Sequence, residues 1–139
     1  MMADPLALEV LCFRLGGILW GIEAGQVDRI ARPEETLDDP LLDPARVLGV
    51  APQGSPQGLR LLLRPGSARA VLPVDEILDL VSLSTNDLAA LPPLIAGALP
   101  DKRIWAVGKV GTEVMLLLDA AGLWEAGAPA GSLSNGEER

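Results

Sequence analysis

Three apolar segments, each folded back on itself across a glycine turn, constrain this chain more than any other feature. They are EVLCFRLGGILWGIE at 9–23, GLRLLLRPGSARAVLPV at 58–74 and IWAVGKVGTEVMLLLD at 104–119. Gly16-Gly17 supplies the two positive φ angles of a tight two-residue hairpin loop. Pro65-Gly66 is a type II turn signature, with Pro setting the first central residue and Gly taking the left-handed second. Gly111-Thr112 fits a type II′ turn, which requires Gly in first place. The flanks alternate as half-buried strands do: Leu11, Phe13 and Leu15 share a face, as do Leu59, Leu61 and Leu63, and Val114, Leu116 and Leu118. Three such hairpins predict a small β-barrel protein.

The rest of the chain reads as connections. Residues 1–7 form a flexible N-terminus. AGQVDRIAR at 24–32 reads as a short helix or irregular turn, because Val27 and Ile30 stand three apart on one helical face. PEETLDDPLLDPAR at 33–46 is a proline-rich acidic loop with one helical turn, and VLGVA at 47–51 is a short buried strand. PQGSPQG at 52–58 is the expected boundary between a first half, 8–51, and a second, 58–125. The strand ending at Pro73 is expected to continue into DEILDLVSLS, with Pro73 at an edge or bulge. STNDLAAL at 84–91 opens with capping residues and predicts one short helix, stopped by Pro92-Pro93. Asp119 is placed to cap a final helical turn that packs Leu123 and Trp124 back onto the barrel, and 126–139 is a disordered tail.

Composition narrows the function. With 139 residues and 49% hydrophobic residues the chain builds one compact core, and with 3 Trp, 1 Phe and no Tyr that core is aliphatic. A net charge of −8 with scattered basic residues argues against nucleic acid and against an anionic membrane surface. No apolar stretch is long enough to span a bilayer. The single Cys12 has no disulfide partner and no histidine to activate it, so it reads as a small buried hydrophobe in a reducing cytoplasm. Without His, paired Cys or a phosphate-binding glycine loop, no cofactor, no metal site and no catalytic residue is expected. A small carboxylate enzyme using Asp75 and Asp79, two strand positions on one face with Ile77 between, is the alternative from another class. Trp20, Trp105 and Trp124 fit interface anchors and core fillers equally, and Trp105, opposite the inward set of its strand, is the best placed of the three for partial exposure.

The segment FRLGGILWGIEAGQVDRI, 13–30, resembles the opening of CheW-like domains, the coupling proteins of bacterial chemotaxis arrays, at Phe13, Leu15, Gly16, Trp20, Gly21, Ile22, Val27 and Ile30. VLGV at 47–50 is similar to the family's Val-x-Gly-Val strand. AVLPVDEILDLVSLS looks like its Val-Asp-x-Val strand, matched at Val71, Val74, Asp75, Ile77 and Val81, and VGKVGTEVMLLLDAAGLW is similar to its last hairpin and helix start. The matches run in the family's order over 9–124. Family members follow Val-x-Gly-Val with Ile-Asn-x-Arg-Gly and a further strand, whereas VLGVAPQGSPQGLRLLL leads almost directly into the second hairpin.

The resemblance implies an all-β protein with short helices, built as two SH3-like five-stranded barrels, the first abbreviated. It implies a non-enzymatic cytoplasmic adaptor, recruited to membrane-associated receptor arrays, that couples a methyl-accepting chemoreceptor signalling tip to the regulatory domain of a CheA-type histidine kinase. The alternative within the family is a reduced variant binding one partner only, a selectivity or array-limiting factor. Ile22, Val27, Ile30, Leu48 and Val50 would line a receptor groove between the half-barrels, with Trp105 as a further contact. The abbreviation is expected to leave an unpaired strand edge near Val47–Ala51 or Ile18–Ile22.

Overall fold

The computed structural model describes residues 7–53, 58–64, 66, 68–89 and 103–127. In chain order the elements are β1 (Leu8–Leu15), β2 (Ile18–Glu23), a 3-10 turn (Ala24–Gln26), β3 (Val27–Ala31), α1 (Pro44–Val47), β4 (Arg60–Leu63) and β5 (Ala70–Pro73). There follow β6 (Glu76–Leu83), a 3-10 turn (Thr85–Asp87), β7 (Leu88–Ala89), β8 (Ile104–Val110), β9 (Glu113–Leu118) and α2 (Ala120–Gly127). The described residues are mostly β, with two short helices.

All three hairpins form. Leu15 pairs with Ile18 across Gly16 (φ 66) and Gly17 (φ 80), the two positive angles that glycine alone adopts at little cost. Val110 pairs with Glu113 across Gly111 (φ 62), and Thr112 keeps a negative φ, which favours II′ over I′. Leu63 pairs with Ala70, so the middle connection spans 64–69 around Gly66 (φ 69); Pro65 lies outside the described residues.

The strands assemble into a six-stranded sheet, β6-β1-β2-β9-β8-β7, and a three-stranded sheet, β3-β4-β5. Each sheet takes strands from both sides of 52–58, so the expected division into consecutive halves at that linker does not describe the pairing. The small sheet has three strands. Its β5 edge is extended by the loop at 40–42, where Leu42 N–H donates to the Val71 carbonyl (2.8 Å) and Val71 N–H to that of Pro40 (2.8 Å). The chain switches sheets after Pro73 and does not run on as one strand: Val74 N–H donates to Leu59 in one sheet and Asp75 N–H to Arg14 in the other.

The central strands β1, β2 and β9 bury residues on both faces. Leu11, Phe13, Leu15, Trp20, Ile22 and Leu118 face the small sheet's Leu61, Leu63 and Leu72, together with Leu123 of α2. The alternate residues Val10, Cys12, Leu19, Met115 and Leu117 form a second cluster with Leu83 and Ala106. Period-2 alternation explains how one strand feeds both. It also explains Cys12: burial, then the nearby Asp79, pushes its thiol upward, and its Sγ lies 3.4 Å from Met115 Sδ.

Three local readings are corrected. VLGVA is not a strand: Asp43 caps α1 through Ala45 N–H (3.1 Å), Val47 ends the helix, and Gly49 (φ 71) turns the chain where Gly49 N–H still donates to Ala45. In STNDLAAL the Asp87 carboxylate takes Ser84 N–H (3.0 Å), but after one 3-10 turn Leu88 and Ala89 pair with Gly108 and Val107 as β7. Residues 27–31 form β3, and a bulge between Val27 and Arg29 sets Val27 opposite Leu63 and Ile30 opposite Leu61. Val27 and Ile30 therefore do share a face, on a bulged strand and not on a helix.

At the C-terminal end the expected cap is present. Asp119 Oδ2 accepts Gly122 N–H (3.2 Å), Gln26 bonds both Asp119 Oδ1 (3.2 Å) and Ala120 N–H (2.9 Å), and Leu123 is fully buried. Ala126 belongs to α2 and packs on the core, so the structured part extends past 125. Residues 1–6, the rest of the tail (128–139), 54–57 and 90–102 lie outside the described residues.

Candidate docking surfaces

The six residues proposed for partner contact do not converge. Ile22 is fully buried in the core between the sheets, with Gly21 and Ile22 paired to Leu117 and Leu118, so it is packing and not surface. The Ile18–Ile22 edge is closed from Trp20 to Ile22, where β9 lies against β2. Val50 packs over Gly16 at one end of β2, and Val27 follows the turn at the other end, about 20 Å away at strand rise. Val27, Leu48 and Val50 are half-buried and lean on the core. Ile30 (40% exposed) and Trp105 (44%) are free to touch a partner. Trp105 is exposed by strand parity, between the buried Ile104 and Ala106, and a register slip there leaves it without an opposing residue on β9. Trp20 is instead buried, with Nε1 donating to the Leu15 carbonyl (2.9 Å), and Trp124 is half-buried against the core.

The sequence reading missed Leu78, Leu80, Leu41 and Val114, all exposed. Leu78 and Leu80 lie on β6, an outer strand of the large sheet. The signal was present: EILDLVSL is apolar on both faces, which suits either a central strand or an edge waiting for a cover.

The carboxylates serve the backbone. Asp75 Oδ2 accepts Gly16 N–H (2.8 Å), and both of its oxygens face Gln53 N–H (2.9 and 3.0 Å), so it pins the first hairpin turn and residue 53 to the sheet crossover. Asp79 Oδ1 takes Leu80 N–H (2.8 Å). A bulge sets Ile77 opposite Phe13 and Asp79 opposite Cys12, on opposite faces, which breaks the even spacing on which the dyad reading rested. Among the described residues no group of three or more His, Cys, Asp or Glu is placed to hold a metal, and no helix is long and apolar enough to cross a membrane.

Two surface ion pairs carry titration behaviour. Arg14 grips Glu113 with both guanidinium nitrogens (2.7 and 2.8 Å), and this hydrogen bonding holds the Glu113 carboxyl below the usual range. Glu35 is lowered first by Arg32 N–H and then by Arg29. A depressed folded-state value means the contribution is present above the ordinary carboxylate range and is lost as pH falls through the lowered value. Carbon-detected titration should place both midpoints below those of exposed reference glutamates, and Arg14→Gln should return Glu113 to the ordinary range. A Glu113 midpoint unmoved by that substitution would contradict the pairing.

No protein-family model and no curated protein matches the sequence. The structure is similar to the crystal structure of the scaffolding protein TtCheW from Thermoanaerobacter tengcongensis, with a TM-score of 0.68 over 85% of this chain and 92% of that one. The fold is CheW-like. The two sequences are 15% identical, so the likeness lies in strand order and packing and not in the wording of the surface. A CheW-like fold places Ile30 on the small sheet, Trp105 on the large one, and the shared core between them.

Proposed function

We propose that this protein is a non-enzymatic scaffold of the chemotaxis type, acting in the cytoplasm and recruited to receptor arrays by docking. Its partners in this reading are a chemoreceptor signalling tip and the regulatory domain of a CheA-type histidine kinase. The observation that carries the reading is the fold shared with a scaffolding protein over most of both chains. The commitment of Asp75 to backbone donors at a sheet crossover supports a structural use of the carboxylates over the enzyme reading.

Ile30 and Trp105 are the contacts of choice among the original six, because each offers apolar surface without being part of the buried core. Burying one such side chain is worth about 1.5–3 kcal/mol, which sets the scale of the expected losses. The test is calorimetric titration against a receptor tip fragment and a kinase regulatory domain from the same organism. Binding to both is the expected result. Ile30→Asp should weaken one of them by about tenfold or more with an unchanged melting temperature. Binding to one alone would favour the selectivity or array-limiting variant, in line with the direct passage from VLGV into the second hairpin. Silence with both would refute the proposed function.

A further inference from the structure

Among the described residues, the outer side of β6 is an open strand edge with a defined chemistry. β6 pairs with β1 from Leu83 opposite Leu8 to Glu76 opposite Arg14, and no described residue pairs with its other side. It is eight residues long, enough for several ladder bonds, whereas β7 at the opposite edge has two. Leu78 is 40% exposed and Leu80 53%, and the register slip at Cys12/Phe13 leaves Leu78 with no opposing residue on β1. The Leu80 N–H is directed at the carboxylate of Asp79. That donor is thus held by an exposed side chain next door, which an incoming carbonyl can displace without loss of a hydrogen bond.

Charge decides what fits. β6 carries Glu76 and Asp79 and no basic residue, and the exposed Glu9 stands opposite Ser82 on the neighbouring strand. A second copy would bring the same acids on a chain of net charge −8. An extended segment with apolar residues over Leu80 and basic residues over Asp79 meets both features, because neighbouring strand positions point to opposite faces. We propose that the β6 edge takes an extended, alternately apolar and basic segment of another protein by strand addition. This goes beyond the adaptor reading, and its test is separate from receptor or kinase binding.

The experiment uses the full chain and two probe peptides, Lys-Val-Lys-Val-Lys-Val-Lys and its glutamate counterpart Glu-Val-Glu-Val-Glu-Val-Glu. Titration should show saturable binding of the lysine peptide only. Amide exchange over 76–83 should slow by about tenfold or more on its addition. Leu80→Pro removes the donor now held by Asp79 and should abolish binding. Asp79→Lys, an exposed charge reversal that keeps every apolar contact, should shift preference towards the glutamate peptide. Equal binding of the two peptides, no binding of either, or an unchanged response in the folded Leu80→Pro and Asp79→Lys proteins would each overturn the proposal. So would slow exchange over 76–83 in the free protein, which would mean that its own chain or a second copy already covers the edge.

Discussion

Trp20→Ala should lower the unfolding free energy by about 3–5 kcal/mol, the range for deleting a buried aromatic side chain. Trp20 is 2% exposed, and among the fully buried side chains it is the largest. Its ring fills the core between the two sheets, and its indole N–H satisfies the Leu15 carbonyl at the end of β1. Alanine therefore opens a cavity and orphans an acceptor next to the first hairpin turn. Since a domain of this size is stable by only about 5–15 kcal/mol, the variant should sit close to the folding threshold. Urea unfolding followed by circular dichroism measures the change. Trp20→Phe should fall between, because it keeps most of the ring and loses the donor. A loss below about 1.5 kcal/mol for alanine would mean that this site collapses around the cavity, contrary to the packing described.

Gly21→Ala should cost about 1–3 kcal/mol through the opposite fault, overpacking. A Cβ on Gly21 would lie 2.5 Å from Met115 Sδ, 2.7 Å from Val10 Cγ1 and 2.9 Å from Leu117 Cδ2. Its backbone is not in the left-handed region, so the glycine is required by the second core cluster and not by a turn. Gly21→Val should be worse than alanine. Combining Gly21→Ala with Met115→Ala should cost less than the sum of the two, because the second substitution vacates the space the first one needs. Strict additivity in that cycle would show that the two positions do not touch.

These two neighbours in sequence show how far the chain can be read by eye. Gly16, Gly17 and Gly111 announce their hairpins because turn chemistry is local, and the alternation places Leu11, Phe13 and Leu15 in the core. It missed that Val114 is exposed while Met115 and Leu117 on the other face are buried. Nothing local announces that β9 lies parallel to β2, or that the small sheet draws β3 from one side of the linker and β4 and β5 from the other. Such pairings join residues far apart in the chain, Val27 with Leu63 and Trp20 with Leu116, and the boundary expected at 52–58 failed for that reason. The helical reading of Val27 and Ile30 failed for a subtler one: a bulge inserts one residue and converts a strand's period of two into a local spacing of three.

The surface was less legible than the fold. Ile22 looks like any other strand isoleucine, and only the presence of β9 beside it makes it core. Trp105 was legible because its parity opposed the inward set. Leu78 and Leu80 were not, because an apolar residue on an edge strand and one on a central strand read alike until the neighbours are known.

The parallel contact between β2 and β9 has a consequence for the order in which the protein can come into being. A ribosome releases β1 and β2 early, yet the strand that flanks β2 on its second side ends at Leu118. Until those residues emerge, Trp20 and Ile22 have half their walls missing, and the nascent chain carries an exposed apolar strand through most of its synthesis. Folding of the large sheet is therefore expected as one late event, slow in the manner of chains dominated by distant contacts. A chain cut before Glu113 should be retained by chaperones or degraded, while one cut after α2 should be released folded.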